Sequence, residues 1–367
     1  MTAELNPQER LDWLRLIRTE RVGPVTFYAL LRRYGSAAAA LAALPEVAHK
    51  AGRRDFRIAT RAEAEQELTR LGAAGARLVA WGEPDYPPLL AEIEDAPPLV
   101  SVLGDPALLQ RRAIAIVGAR NASAAGQRFA REIAWDLGRK GFLVVSGLAR
   151  GIDTAAHTGA LETGTAAAIA GGIDIVYPPE NRALQDEIAR RGVLVAEMKI
   201  GTEPQARHFP RRNRLISGMS AGVLVVEAAL KSGSLITARL AGDQGRDVFA
   251  VPGSPLDPRC RGCNDLIRNG AVLTESADDV IGALGDGSPA RPMPTRRIPP
   301  VPAAAPEEGE VEGAAGRLAE LLGPTPVAID DLVRTTGLSP PLVALALLEL
   351  ELAGKVARHA GNRVALA

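Results

Sequence analysis

Ala113-Ile114-Ala115-Ile116-Val117-Gly118-Ala119-Arg120-Asn121-Ala122-Ser123-Ala124-Ala125-Gly126 decides the fold. An unbroken apolar run gives way to a loop with a glycine, a guanidinium, an amide and a hydroxyl, and Gly126 opens a helix. A strand that is apolar at nearly every position is covered on both faces, as in a parallel sheet flanked by helices. The rhythm returns at residues 142–146, 165–170, 193–197, 222–227, 247–251 and 271–274. The segments between these runs are long enough for right-handed crossovers. The chain is therefore α/β, with a doubly wound parallel sheet.

Upstream, Leu11, Leu14, Ile17, Phe27, Leu30, Leu31 and Tyr34 recur at helical spacing within residues 8–74. Arg21-Val22-Gly23-Pro24-Val25 resembles the turn of a helix-hairpin-helix, whose backbone N–H groups at a helix start can meet a phosphate. A small helical domain packed on its neighbour accounts for the same residues, since Gly-Pro is ordinary turn punctuation. Two Pro-rich stretches, Asp85-Tyr86-Pro87-Pro88 and Ala96-Pro97-Pro98, read as the joint to the sheet. Downstream, the Pro, Gly and acidic composition of residues 285–313 reads as linker. Residues 315–322, 328–335 and 341–352 read as helices and 355–364 as a hairpin with Gly361-Asn362 at its tip, an order that resembles a winged helix. The expected division is a helical domain over 1–78, the sheet domain over 79–284, the linker, and a last domain over 314–367.

A chain of 367 residues exceeds what one core usually organises, which agrees with that division. Its 47% apolar and 23% charged residues exclude a mainly disordered or collagen-like chain. Basic and acidic residues balance at 43 each, so any polyanion site must be local. Only five of the basic residues are Lys, so Arg clusters are discounted and Lys199 gains weight. Residues 1–10 are polar and no run of 18 apolar residues occurs, so a cytoplasmic location without a membrane partner is expected.

Ligands of doubly wound sheets sit beyond the carboxyl ends of the strands. Here those ends are Gly-rich: Gly118 to Gly126, then Ser146-Gly147-Leu148-Ala149-Arg150-Gly151-Ile152-Asp153, Gly171-Gly172-Ile173-Asp174, and Ser232-Gly233-Ser234-Leu235-Ile236-Thr237. None is G-x-G-x-x-G, and no acidic ribose ligand closes the second run, so a nicotinamide cofactor is disfavoured and no cofactor is expected. Backbone N–H groups at helix starts, with Arg120 and Ser123, make a plausible phosphate cradle. Four such loops on one sheet edge favour a phosphate-bearing ligand. Arg207-His208-Phe209-Pro210-Arg211-Arg212-Asn213-Arg214 adds four guanidiniums and one aromatic ring. Such a segment can pair with phosphates while Phe209 stacks on a base, as single-stranded nucleic acid requires. A solvated helix start with a buried Phe is the bland alternative.

The ordered motifs carry a resemblance. They are Ile116 to Arg120, Ser146 to Asp153 continuing through Thr154-Ala155-Ala156-His157, Tyr177-Pro178-Pro179-Glu180-Asn181, Phe209 to Gly218, Ser232 to Ala238, and Gly262-Cys263-Asn264-Asp265-Leu266-Ile267-Arg268-Asn269-Gly270-Ala271. Together they are similar to the DNA-processing protein A (DprA, also Smf) family. The resemblance implies an extended Rossmann-like doubly wound sheet with an N-terminal helical domain of SAM or helix-hairpin-helix type and a C-terminal winged helix. It implies a homodimer without catalysis that binds single-stranded DNA and helps load the RecA recombinase in natural transformation. Carried onto matching positions, it places Arg120, Lys199, Phe209, Arg211, Asn213 and Arg214 on the strand. The loops of Gly147, Gly171 and Ser232, Gly233 and Ser234 shape the pocket, and Gly118, Ser123 and Thr237 join the expected DNA contacts from the loop reading above. Phosphates over Arg120, Lys199, Arg211 and Arg214 give an expected salt slope of roughly −3.

Other constellations fall away. Gly218-Met219-Ser220-Ala221-Gly222 fits G-x-S-x-G, but a helix precedes and a strand follows it, the reverse of a nucleophile elbow. Cys260 and Cys263 lack the second ligand pair of a structural zinc site, so no metal is expected. His157 reads as a packed structural histidine, and Glu227 as a carboxylate that orients a loop N–H. A phosphoribohydrolase-like enzyme lacks its catalytic Glu after Thr237, and a sensor of a small nucleotide remains as the other class. The helix over 341–352 carries no Lys or Arg, which favours protein contact over duplex reading.

Overall fold

The computed structural model describes residues 4–50, 56–285, 308–359 and 362–367. Helices α1 (Pro7–Arg18), α2 (Pro24–Tyr34) and α3 (Ala37–Lys50) come first, followed by α4 (Arg61–Ala73). Asn6 and Glu9 form a reciprocal capping box at the start of α1, each bond 2.9 Å. Pro24 takes the first position of α2, where its missing N–H has no intrahelical partner to lose. Trp13 packs edge-on against Phe27 at 5.0 Å, and both are buried.

The sheet domain comprises β1 (Arg77–Ala80), β2 (Leu99–Gly104), β3 (Ala113–Gly118), α5 (Ala124–Arg139), β4 (Leu143–Ser146), α6 (Ile152–Ala160), β5 (Thr165–Ile169), α7 (Arg182–Arg191), β6 (Val193–Ala196), α8 (His208–Gly218), β7 (Gly222–Val226), α9 (Gly233–Asp243), β8 (Asp247–Ala250), α10 (Arg261–Arg268), β9 (Val272–Leu273) and α11 (Ala277–Leu284). These strands form one nine-stranded sheet in the order β1-β2-β6-β5-β4-β3-β7-β8-β9. Every apolar run becomes a strand, and β3 to β9 are mutually parallel. Alternation decides the layers: Ile114 and Ile116 face α5 and α6, while Ala115 and Val117 face α8 and α9.

The sheet is mixed rather than wholly parallel, because β2 pairs antiparallel with β6 and β1 with β2. The Pro-rich stretches expected to be a joint lie between β1 and β2. They fold back onto the core: Tyr86 is fully buried and its hydroxyl donates to Pro97 O at 2.6 Å.

The contacts divide the chain into two compact units, one built on Glu67–Thr295 and the other on Leu5–Gln66 with Arg296–Ala367. In the second, α12 (Glu308–Leu321), β10 (Val327–Ala328), α13 (Ile329–Thr336), α14 (Pro340–Leu352), β11 (Val356–His359) and β12 (Arg363–Leu366) make a winged helix with strand order β10-β12-β11. The expected linker is shorter than composition suggests, since α12 begins at Glu308 and buries Val311 and Ala314; residues 286–307 lie outside the described residues. Asn362 at the hairpin tip has φ of 54°, and Gly361 lies outside the described residues. Within this unit α14 packs against α2 and α3, and Arg33 Nη1 stands 3.5 Å from Glu349 Oε1.

Candidate nucleic-acid interface

A cleft of ≈ 400 Å³ opens at the carboxyl ends of β3, β4 and β5 and is walled on one side by α8. Phe209 stands in the first turn of α8 with the Tyr177 ring 5.6 Å away. The Arg120 guanidinium lies 5.3 Å from the Phe209 ring centre and that of Arg212 5.9 Å. Phe209 and Arg212 are three residues apart and share a face of the helix. Arg211 is rotated to solvent and Arg212 inward. Arg150 lines the same cleft and pairs with Glu180 at 2.7 Å.

The loop after β4 is held from within. Leu148 has a φ of 55°, which turns successive amides the same way. Gly147 N and Ala149 N donate to Asp153 Oδ2 at 3.2 and 3.3 Å, and Leu148 N donates to His157 Nε2 at 3.3 Å. Because Nε2 accepts, the imidazole proton sits on Nδ1 and is donated to Thr165 Oγ1 at 2.8 Å. Thr165 passes the chain to Val144 O at 2.7 Å. Burial, reinforced by Arg212, pushes the His157 pKa down to about 3, so the ring is neutral. Burial raises Asp153 while Arg212 opposes it, and burial lowers Arg212 against the pull of Asp153.

These bonds change the expected cradle. At Gly147 the amides face the protein's own carboxylate and imidazole instead of the cleft. Ser123 caps α5 through Gly126 N at 2.9 Å, while its own N donates to Glu227 Oε2 at 2.8 Å and its hydroxyl to the other oxygen. Gly118 pairs with Val226 in the sheet, and a Cβ there would stand 1.9 Å from Val226 O. Positive charge along this edge therefore comes from side chains.

Of the expected contacts, Arg120, Gly147, Gly171 and Phe209 line the cleft. Arg211 is exposed and Asn213 half-buried on α8, and Lys199 is half-buried beside the Gly171-Gly172 turn. Among the described residues, Arg120, Lys199 and Arg211 enter no ion pair. Arg214 is placed otherwise: it is 7% exposed and held by Glu197 at 2.5 Å and Asp95 at 3.3 Å, on the inward face of α8. Ser232, Gly233, Ser234 and Thr237 build the start of α9 outside the cleft lining. There Ser232 Oγ accepts from Ser234 N at 3.3 Å, and Thr237 is buried. Arg212, Asn121, Arg150 and Tyr177 also line it, beside Ala149, Ile169, Ala170 and Pro178, and stand outside the residues expected from sequence. The signal for Arg212 was its spacing from Phe209.

Ser220 is fully buried and donates to Ile216 O at 2.9 Å, which leaves it no nucleophilic role. Burial pushes the Cys263 thiol up to about 12. Among the described residues, no three His, Cys, Asp or Glu side chains converge as a metal site. No single described helix is long and apolar enough to cross a membrane.

A family model for DNA recombination-mediator protein A matches residues 77–285. The chain belongs to that family. A DprA-like N-terminal HHH domain matches residues 7–69 and a DprA winged helix domain residues 301–362. Protein Smf of Synechocystis is 36% identical over 313 residues, covering 77% of this chain and 78% of its own. DNA processing protein DprA of Streptococcus pneumoniae is 46% identical over 198 residues, 53% of this chain and 70% of its own. Its X-ray structure superposes with a TM-score of 0.62 at 34% identity, covering 76% of this chain and 98% of that one. DNA processing protein A from Helicobacter pylori, solved for its single-stranded DNA binding mode, gives 0.53 at 29% identity over 57% of this chain and 95% of that one.

Proposed function

We propose that this family member binds single-stranded DNA across the cleft, with phosphates on Arg120, Arg211 and Lys199 and a base against Phe209. The carrying observation is the Phe209 ring with two guanidiniums 5.3 and 5.9 Å from its centre, in a cleft lined by Arg120, which enters no ion pair among the described residues. Stacking on an aromatic with cationic flanks suits a strand whose bases are free. The solved Helicobacter pylori relative supports the same ligand.

A binding role is the reading, and the inward His157 is neutral and engaged within the protein through Leu148 N and Thr165 Oγ1. A homodimer that helps load RecA in natural transformation follows from the family resemblance, and the cytoplasmic location remains the expectation read from the sequence. For the dimer, β9 is the outer strand of the sheet and leaves Leu273 47% exposed, next to Leu266, Ile267 and Val272. Light scattering of the chain and of Leu273→Asp tests it, a monomer in both overturning the assignment.

Anisotropy titrations with single strand, duplex and mononucleotides test the main reading. Three neutralised phosphates give a slope of log affinity against log salt of roughly −2. Preference for a mononucleotide over an oligomer, or a flat salt dependence, overturns the proposal; the first outcome selects the small-nucleotide sensor.

A further inference from the structure

The floor of the cleft is closed to a ligand: Gly147 lies over the floor cation Arg212, and a Cβ added there would stand 1.2 Å from Nη1. A strand must therefore be held by groups at the mouth. Tyr177 is such a group. Its side chain is 46% exposed, and among the described residues no other aromatic is exposed. The turn that carries it is stiff, because Pro178 and Pro179 fix the backbone after it and Asn181 Nδ2 donates to Leu148 O at 2.9 Å, tying the turn to the loop after β4. The Tyr177 and Phe209 rings, 5.6 Å apart and inclined at 57°, leave no slot for a base between them, since parallel faces about 7 Å apart would be needed. Each ring can receive only its own base. On the Tyr177 side, Arg150 lines the same cleft. Its partner Glu180, 2.7 Å away, is like it more than half exposed; such a pair holds weakly in water and yields to a phosphate.

We propose that Tyr177 and Arg150 form a second nucleotide subsite, in which the base next to the one on Phe209 stacks on Tyr177 and its phosphate draws Arg150 away from Glu180. This rests on the single-strand reading above. Two consecutive bases then lie on rings inclined to each other, so the strand bends at the cleft mouth. Neither ring discriminates among bases, since every base has a π-face.

The test is an anisotropy titration of the full chain with an all-thymine heptanucleotide. One stacked base is worth about 5- to 150-fold in affinity, and Tyr177→Ala should weaken binding about tenfold while Tyr177→Phe keeps it. In a Phe209→Ala background, Tyr177→Ala should cost the same factor again. A loss that vanishes there means that Tyr177 only props Phe209, and overturns the inference. Arg150 adds a fourth neutralised phosphate, which deepens the salt slope from roughly −2 to roughly −3, and Arg150→Ala should bring it back. A slope that Arg150→Ala leaves unchanged also overturns the subsite. Full affinity in Tyr177→Ala, with dependence on Phe209 retained, overturns this inference and leaves the single-strand reading standing. Absence of binding by the unaltered chain overturns that reading.

Discussion

Helices α8 and α14 are both short and both lean on a core, yet they face opposite kinds of partner. In α8 the pattern of Arg alternates between burial and solvent, so one turn supplies a floor cation, a rim cation and a structural ion pair. In α14 the residues are almost all aliphatic, with Glu349 and Glu351 the only charges. Val343, Ala346, Leu347 and Leu350 join the winged-helix core, and the helix also packs on α2 and α3. The position that reads a duplex in many winged helices is here turned to protein, which agrees with its lack of cations. Cation count alone does not mark a nucleic-acid site; helical phase decides which charges are free.

That contrast can be broken at single residues. The largest effect is expected at Arg214. Arg214→Ala removes a buried guanidinium from its ion pairs with Glu197 and Asp95 and should cost about 3–5 kcal/mol of stability in denaturant unfolding. The salt slope of the folded protein should not change.

Next comes pH. His157 has a folded pKa near 3 against 6.5 unfolded, so below pH 6.5 the unfolded chain binds a proton that the folded one refuses. Stability should fall by about 1.4 kcal/mol per pH unit through that window. The raised Asp153 acts in the opposite sense at lower pH, as its folded form takes up a proton more readily. Comparison with His157→Gln cancels that contribution, and parallel stability curves for the two proteins would discard the neutral, bonded imidazole.

Phe209→Ala should weaken single-strand binding by about 1–3 kcal/mol while leaving the salt slope alone. Arg211→Ala, three residues before the buried Arg214, should reduce that slope by about 0.7 and leave stability within about 0.5 kcal/mol. An Arg211 variant that unfolds like the Arg214 variant would erase the distinction drawn between them. Smallest is the half-buried pair in the other unit: a double-mutant cycle on Arg33 and Glu349 should give about 0.2–1 kcal/mol.

Much of this was legible in the sequence. Parallel strands buried on both faces announce themselves as apolar runs, and all of those became β3 to β9. The antiparallel β1 and β2 did not, because Tyr86-Pro87-Pro88 looks like a joint, and only the tertiary bond from Tyr86 to Pro97 shows it to be core. Phe209, Arg120, Gly147 and Gly171 were readable at the cleft from loop position and residue type. Arg214 was misplaced because its partners Glu197 and Asp95 lie 17 and 119 residues away in sequence. Glu227 was readable as a carboxylate that orients a loop N–H, but its partner Ser123, 104 residues away, was not.

The loop after β4 carries its scaffolding inside itself, with Asp153 and His157 clasping three consecutive main-chain nitrogens. Its shape is thus settled in advance of any ligand, and little ordering entropy is lost when a strand arrives. Calorimetry should accordingly register an association whose heat-capacity change reflects buried ring surface, with no added contribution from a loop that folds on contact.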